Sequence, residues 1–127
     1  MSNLFGKSKI EGWETISTIE DLDKIQAESF SKPQIIFKHS TRCSISSMAK
    51  NRIKEGLLQL QAMADVHYLD LLGFRNISNE IENRFKVEHE SPQVIVLKNG
   101  VSIYSASHHM IAVEEIVHHL EESSKLP

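Results

Sequence analysis

Gln34-Ile35-Ile36-Phe37-Lys38-His39-Ser40-Thr41-Arg42-Cys43-Ser44-Ile45-Ser46-Ser47-Met48-Ala49 is the stretch that decides the fold, because its periodicity changes in the middle. Gln34 to Lys38 follows Pro33 and is rich in β-branched and aromatic residues, which suits a short buried strand. His39 to Arg42 is a polar connection. From Cys43 onward the apolar residues Ile45, Met48, Ala49, Ile53, Leu57, Leu58 and Leu60 recur at spacings of three and four, the mark of a helix that begins at or just after the cysteine. A strand therefore hands over to a helix with Cys43 at the junction.

The pattern extends in both directions. Trp13 to Ile16 reads as a short strand. Thr18 with Asp21 three positions later forms a near capping box, and Ile19, Leu22, Ile25 and Ala27 give an amphipathic helix to about Phe30. Downstream, Val66 to Leu72 alternates as a strand, and Ile77, Ile81 and Phe85 mark a shorter helix that Asn76 and Ser78 could cap. Ser91-Pro92 introduces Gln93 to Leu97, and Asn99-Gly100 joins it to Val101 to Tyr104 in the strongest short-range hairpin signal. Met110, Ile111, Val113, Ile116, Val117 and Leu120 mark a last helix. Early alternation of strand and helix predicts parallel strands with helical crossovers, and the late hairpin adds antiparallel pairing to the same sheet. The fold class expected is α/β: one domain over 1–127, a mixed sheet flanked by helices, with 1–11 and 123–127 flexible.

Composition narrows the function classes. The 127 residues are 40% hydrophobic and 24% charged, with 14 basic against 17 acidic side chains, so no strong positive field exists to attract nucleic acid or anionic lipid. No apolar run approaches a membrane span or a signal-peptide core. A cytoplasmic protein without nucleic-acid or membrane partners is expected. One cysteine cannot form an internal disulfide, nor complete a two-cysteine redox cycle within one chain. Seven histidines invite a metal reading, but adjacent pairs such as His108-His109 and His118-His119 diverge on a helix, and no second cysteine completes a four-ligand shell. No metal and no tightly bound cofactor are expected.

Element order, a cysteine after the second strand and a proline before the penultimate one resemble the thioredoxin fold. Within it, Thr41-Arg42-Cys43-Ser44-Ile45-Ser46, the preceding Phe37-Lys38-His39-Ser40, Trp13, Tyr68-Leu69-Asp70 and Glu90-Ser91-Pro92-Gln93 resemble the YtxJ-type monothiol bacilliredoxins, or bacilliredoxin C-like proteins. The resemblance spans nearly the whole chain. It departs at Ser44, where the family usually has proline; serine restores an N–H near the sulfur and loosens the turn. The resemblance implies that Cys43 attacks a protein carrying bacillithiol or a similar low-molecular-weight thiol, takes that thiol onto itself, and is reset by a second thiol molecule. S-thiolated proteins and the small thiol are then the partners.

A free thiol with a pKa near 8.5 is only about 3% thiolate at pH 7, and helix N-termini and adjacent cations lower that pKa. Cys43 sits at a predicted helix start beside Arg42, with Lys38 and His39 at the end of the preceding strand. A lone cysteine can also be a small buried hydrophobe; the strand-to-helix setting favours the reactive reading. Ser46 occupies the resolving position of two-cysteine thioredoxin-like proteins. Its hydroxyl can donate to a thiolate but cannot displace a mixed disulfide. Cys43, Arg42, Ser44 and Ser46 are thus the candidate catalytic residues, with Thr41, Ser91 and Pro92 as substrate-binding candidates. A cis Ser91–Pro92 bond is implied by the fold resemblance, while an ordinary strand-opening proline is the plain alternative. Two other functions compete: a carrier that holds an iron–sulfur cluster through Cys43 and an external thiol, and a binding module with an inert Cys43.

Overall fold

Strand β3 (Gln34–His39) is buried at every residue and lies between two partners. A computed structural model describes residues 9–10, 13–40 and 44–125, and side chains over 13–40 and 47–125. In it β3 runs parallel to β4 (Asp65–Asp70), with Ile36 opposite His67, and antiparallel to β5 (Gln93–Lys98), with Ile36 opposite Ile95. Enclosure on both edges and both faces is why this segment is nearly continuous in apolar residues. β2 (Trp13–Thr15) adds parallel to β4, and β6 (Val101–Ser107) adds antiparallel to β5. A further strand, β1 (Lys9–Ile10), pairs antiparallel with β2, giving the order β1-β2-β4-β3-β5-β6. The expected strands are all present; β1 is additional and falls within the 1–11 stretch expected to be flexible.

Side-chain alternation divides the core in two. Ile35 and Phe37 join Val66, Tyr68, Val94 and Val96 beneath α2 (Ser44–Glu55), α3 (Leu57–Gln61) and α5 (Val113–Ser124), which contribute Ala49, Ile53, Leu57, Leu60, Ile116 and Leu120. Ile36, Leu69, Ile95 and Leu97 face the other way, against Leu22 and Ile25 of α1 (Ile19–Glu28) and Ile77, Ile81 and Phe85 of α4 (Arg75–Phe85). Trp13 stacks on Phe37 with ring centroids 5.6 Å apart, closing the first layer at its β2 side.

Local chemistry sets the element ends. Thr18 Oγ1 accepts from Asp21 N at 3.0 Å, and the Asp21 carboxylate accepts from Thr18 N at 3.1 Å, so the capping box forms as expected. Asn99 (φ 55°) and Gly100 (φ 83°) make the hairpin turn, a conformation open to Asn-Gly because both central residues need positive φ. The end of α1 clamps this turn. Asn99 N donates to Ser29 O, Gly100 N donates to Ser29 Oγ, and the Phe30 ring lies so close that a β-carbon on Gly100 would meet it at 2.8 Å.

Three expectations need correction. The long helix after Cys43 breaks at Gly56 into α2 and α3. Ser78 does not cap α4; it is buried within the helix, and Phe74 stands at the cap position without a side-chain bond. The last helix starts only at Val113, because His108–Met110 forms a separate 3₁₀ turn, and it reaches Ser124 with Ser123 buried, inside the tail expected to be flexible. No helix of the described residues is long and apolar enough to cross a membrane.

The break falls at a position with no room for a side chain, since a β-carbon on Gly56 would lie 2.7 Å from Val113 Cγ1 and 2.8 Å from Cγ2. Gly56→Ala is expected to destabilise the protein by about 1–3 kcal/mol through overpacking. Denaturant unfolding of Gly56→Ala, Val113→Ala and the double variant checks this, with the double variant recovering part of the combined loss.

Candidate functional site

The two basic residues that end β3 go to opposite faces of the sheet. His39 is buried on the face that carries α2. Its Nδ1 and Tyr68 Oη share a hydrogen bond of 2.8 Å, and its ring lies 5.8 Å from Phe37 and 5.5 Å from Tyr68. Lys50 of α2 places Nζ over the Tyr68 ring at 5.2 Å, so this aromatic group reaches up to the helix. Tyr68 was not singled out from sequence as a site residue. The signal was available: β3 and β4 pair Phe37 with Tyr68 in register, and alternation then brings His39 to the same face.

Lys38 points to the α1/α4 face and has no exposed surface. The expectation that it would lie with His39 beside the helix start fails on period-two alternation alone. Its Nζ donates to His89 Nδ1 at 3.0 Å, and Ser78 Oγ lies 3.0 Å from the same nitrogen. Burial lowers the Lys38 pKa from 10.5 to about 8, against the opposing pull of Glu82 and Glu90. Burial and then the Lys38 charge hold the His89 imidazole below its ordinary value.

The Ser91–Pro92 peptide is cis. Register places it: Lys38 pairs with Gln93, so the antiparallel β5 carries Pro92 and Ser91 past the C-terminal end of β3, towards the connection that precedes α2. Pro92 is buried, and its carbonyl accepts from His108 N at 3.0 Å, which ties the 3₁₀ turn to it. Ser91 Oγ is buried and has no hydrogen-bond partner among the described residues. Gln93 Nε2 donates to Glu88 O at 3.0 Å.

The remaining candidates immediately precede or open α2 in the sequence. Ser44 and Ser46 occupy its first turn, with side chains outside the described residues. Thr41, Arg42 and Cys43 lie outside the described residues altogether. The described residues thus place the His39–Tyr68 pair and the Ser91–Pro92 segment at the C-terminal end of β3, and α2 begins at Ser44, after a short connection from that end. In open α/β sheets that end is where ligands and chemistry gather. Among the described residues no three His, Cys, Asp or Glu side chains are grouped to hold a metal ion. His119 instead stacks on Tyr104 with centroids 3.9 Å apart, and His108 faces Glu90 at 3.8 Å.

Comparison with solved structures agrees with this architecture. A protein described as having a thioredoxin fold is 28% identical, with a TM-score of 0.74 over 83% of this chain and 90% of that one. A redox protein from Chlamydomonas reinhardtii (17% identical, TM-score 0.72) covers 94% of this chain, which spans 38% of that protein. Thioredoxin from Malassezia sympodialis (14% identical, TM-score 0.66) covers 87% of this chain and 89% of its own. The latter two show likeness of fold alone. The model of the monothiol bacilliredoxin BrxC family matches residues 14–116, a span from β2 into α5 that includes every candidate site residue. With sequence family and fold in agreement on thiol redox chemistry, the chain belongs to the monothiol bacilliredoxin family.

Proposed function

We propose that the protein is a monothiol oxidoreductase that strips bacillithiol, or a similar low-molecular-weight thiol, from S-thiolated proteins. The observation that carries the reading is the start of α2 at Ser44, directly after the chain's single cysteine, within a chain of the monothiol bacilliredoxin family. The partial positive charge of a helix N-terminus stabilises an adjacent anion, and a neighbouring arginine adds to it. Cys43 is the nucleophile in this reading, Arg42 and the first-turn N–H groups favour its thiolate, and Ser44 and Ser46 supply hydroxyl donors. Thr41, Ser91 and Pro92 line the approach of the substrate.

The reaction is two exchanges. The Cys43 thiolate attacks the small thiol's sulfur in the substrate disulfide; the protein thiolate leaves, and a Cys43–small-thiol disulfide forms. A second small thiol, as its thiolate, attacks that small thiol's sulfur, releasing a symmetrical small disulfide and regenerating the Cys43 thiolate. With serine at position 46, no sulfur within the chain stands three residues on to perform the second step. The small thiol is thus a co-substrate and not a resident cofactor. The protein acts on cytoplasmic targets in this reading.

The pH dependence of Cys43 alkylation should report a pKa well below 8.5, and incubation with a bacillithiol-modified protein should add one thiol's mass to this chain while the target loses it. An alkylation pKa above about 8 with no transfer would overturn the reading, and visible absorbance in protein purified without oxygen would favour a cluster carrier instead. Ser46→Cys places a second sulfur at the resolving position. Mass analysis during turnover should then find the mixed disulfide replaced by an internal disulfide with release of the small thiol. Persistence of the mixed disulfide in that variant would show that the first turn of α2 cannot bring position 46 to the sulfur.

A further inference from the structure

Lys38 poses a question that thiolate stabilisation does not answer. It lies on the face of the sheet opposite α2, with no exposed surface. Burial of an ammonium group is costly unless it is bonded and charge-compensated. Its hydrogen bond goes to His89, three residues before Pro92 in the segment between α4 and β5 that belongs to no helix or strand. With Lys38 as the ammonium, which can only donate, Nδ1 is the acceptor and His89 is the neutral tautomer with its proton on Nε2. Ser78, buried in α4, meets the same nitrogen. Glu82 of α4 and Glu90 of the segment act on the ammonium, and Arg75 of α4 acts on the imidazole. Opposite Lys38 across the β3–β5 pair, Gln93 reaches back to the carbonyl of Glu88 and ties the segment a second time.

We infer that Lys38 is a positioning residue: through His89 it fastens residues 88–91 against the sheet, so that Ser91 and Pro92 are held ready for a thiolated protein, and it acts on docking rather than on the sulfur of Cys43. The inference rests on the thiol exchange proposed above. The geometry supports the division of labour, because the cation and α2 are on opposite sides of β3, whereas His89 and Pro92 share one short segment.

Lys38→Met keeps the length of the stem and removes the donor; His89→Leu removes the acceptor; His89→Asn keeps an acceptor near the Nδ1 position. The loss of a charged hydrogen bond corresponds to roughly a ten-fold effect or more. Lys38→Met and His89→Leu should each raise KM for a bacillithiol-modified protein about ten-fold. They should leave the alkylation profile of Cys43 and its rate with bis(2-hydroxyethyl) disulfide unchanged, and the double variant should be no worse than either single one. His89→Asn should restore KM. Amide hydrogen exchange at residues 88–91 should quicken in Lys38→Met and His89→Leu, with circular dichroism confirming that both fold; if Lys38→Met does not fold, His89→Leu and His89→Asn carry the test. A shifted alkylation profile, an equal loss with the small disulfide, or an unchanged KM would overturn the inference. Hydrogen exchange needs no substrate: if the wild-type protein transfers no thiol, the proposed function fails on its own, and unchanged protection at 88–91 separately overturns the fastening.

Discussion

Complete enclosure of β3 is the constraint on which the rest of the structure depends. A strand with neighbours on both edges and helices on both faces has no side that can be left polar without compensation. Ile35, Ile36 and Phe37 meet that condition by composition. Gln34, Lys38 and His39 meet it by partners: Gln34 Oε1 pairs with His67 Nε2 at 2.7 Å, Lys38 with His89, and His39 with Tyr68. The polar groups that survive in so closed a place are therefore arranged in pairs that link β3 to two other parts of the fold. His67 and Tyr68 bind it to β4. His89 binds it to the segment before β5.

Alternation along the strand then separates two tasks that sequence proximity would merge. Lys38 and His39 are adjacent in the chain and both basic, but their side chains are divided by the thickness of the sheet. One lies over the helix that begins after the cysteine, packed in an aromatic group with Phe37 and Tyr68. The other lies beneath the segment that carries the cis proline. The helix that follows the cysteine and the segment that carries the cis proline thus draw on opposite faces of one strand.

Local features were legible in the sequence. The Thr18–Asp21 box and the Asn99-Gly100 turn depend on residues within a few positions of one another, and both formed as read. The order of strands and helices followed from periodicity. What could not be read depended on contacts distant in sequence. Position 56, where the helix breaks, has no room for a side chain because Val113, fifty-seven positions on, packs against it. Ser78 is drawn into the interior because His89 and Lys38 await it there, whereas propensity alone suggests a cap. β1 is two residues long and carries too little pattern to distinguish it from a tail. The direction of Lys38 was within reach of period-two reasoning, but net charge beside a cysteine suggested a simpler role.

The clamp between the end of α1 and the hairpin turn bears on register. Ser29 and Phe30 grip Asn99 and Gly100 at the end of the β5–β6 hairpin remote from Pro92. Among the described residues β6 is an outer strand, paired with β5 from Val101 opposite Lys98 to Ser107 opposite Gln93. Its far end is tied as well, because His108 N donates to the Pro92 carbonyl. An outer strand fastened at both ends cannot slide by a residue without breaking one of the two anchors, so the hairpin keeps Pro92 in a fixed register opposite the end of β3.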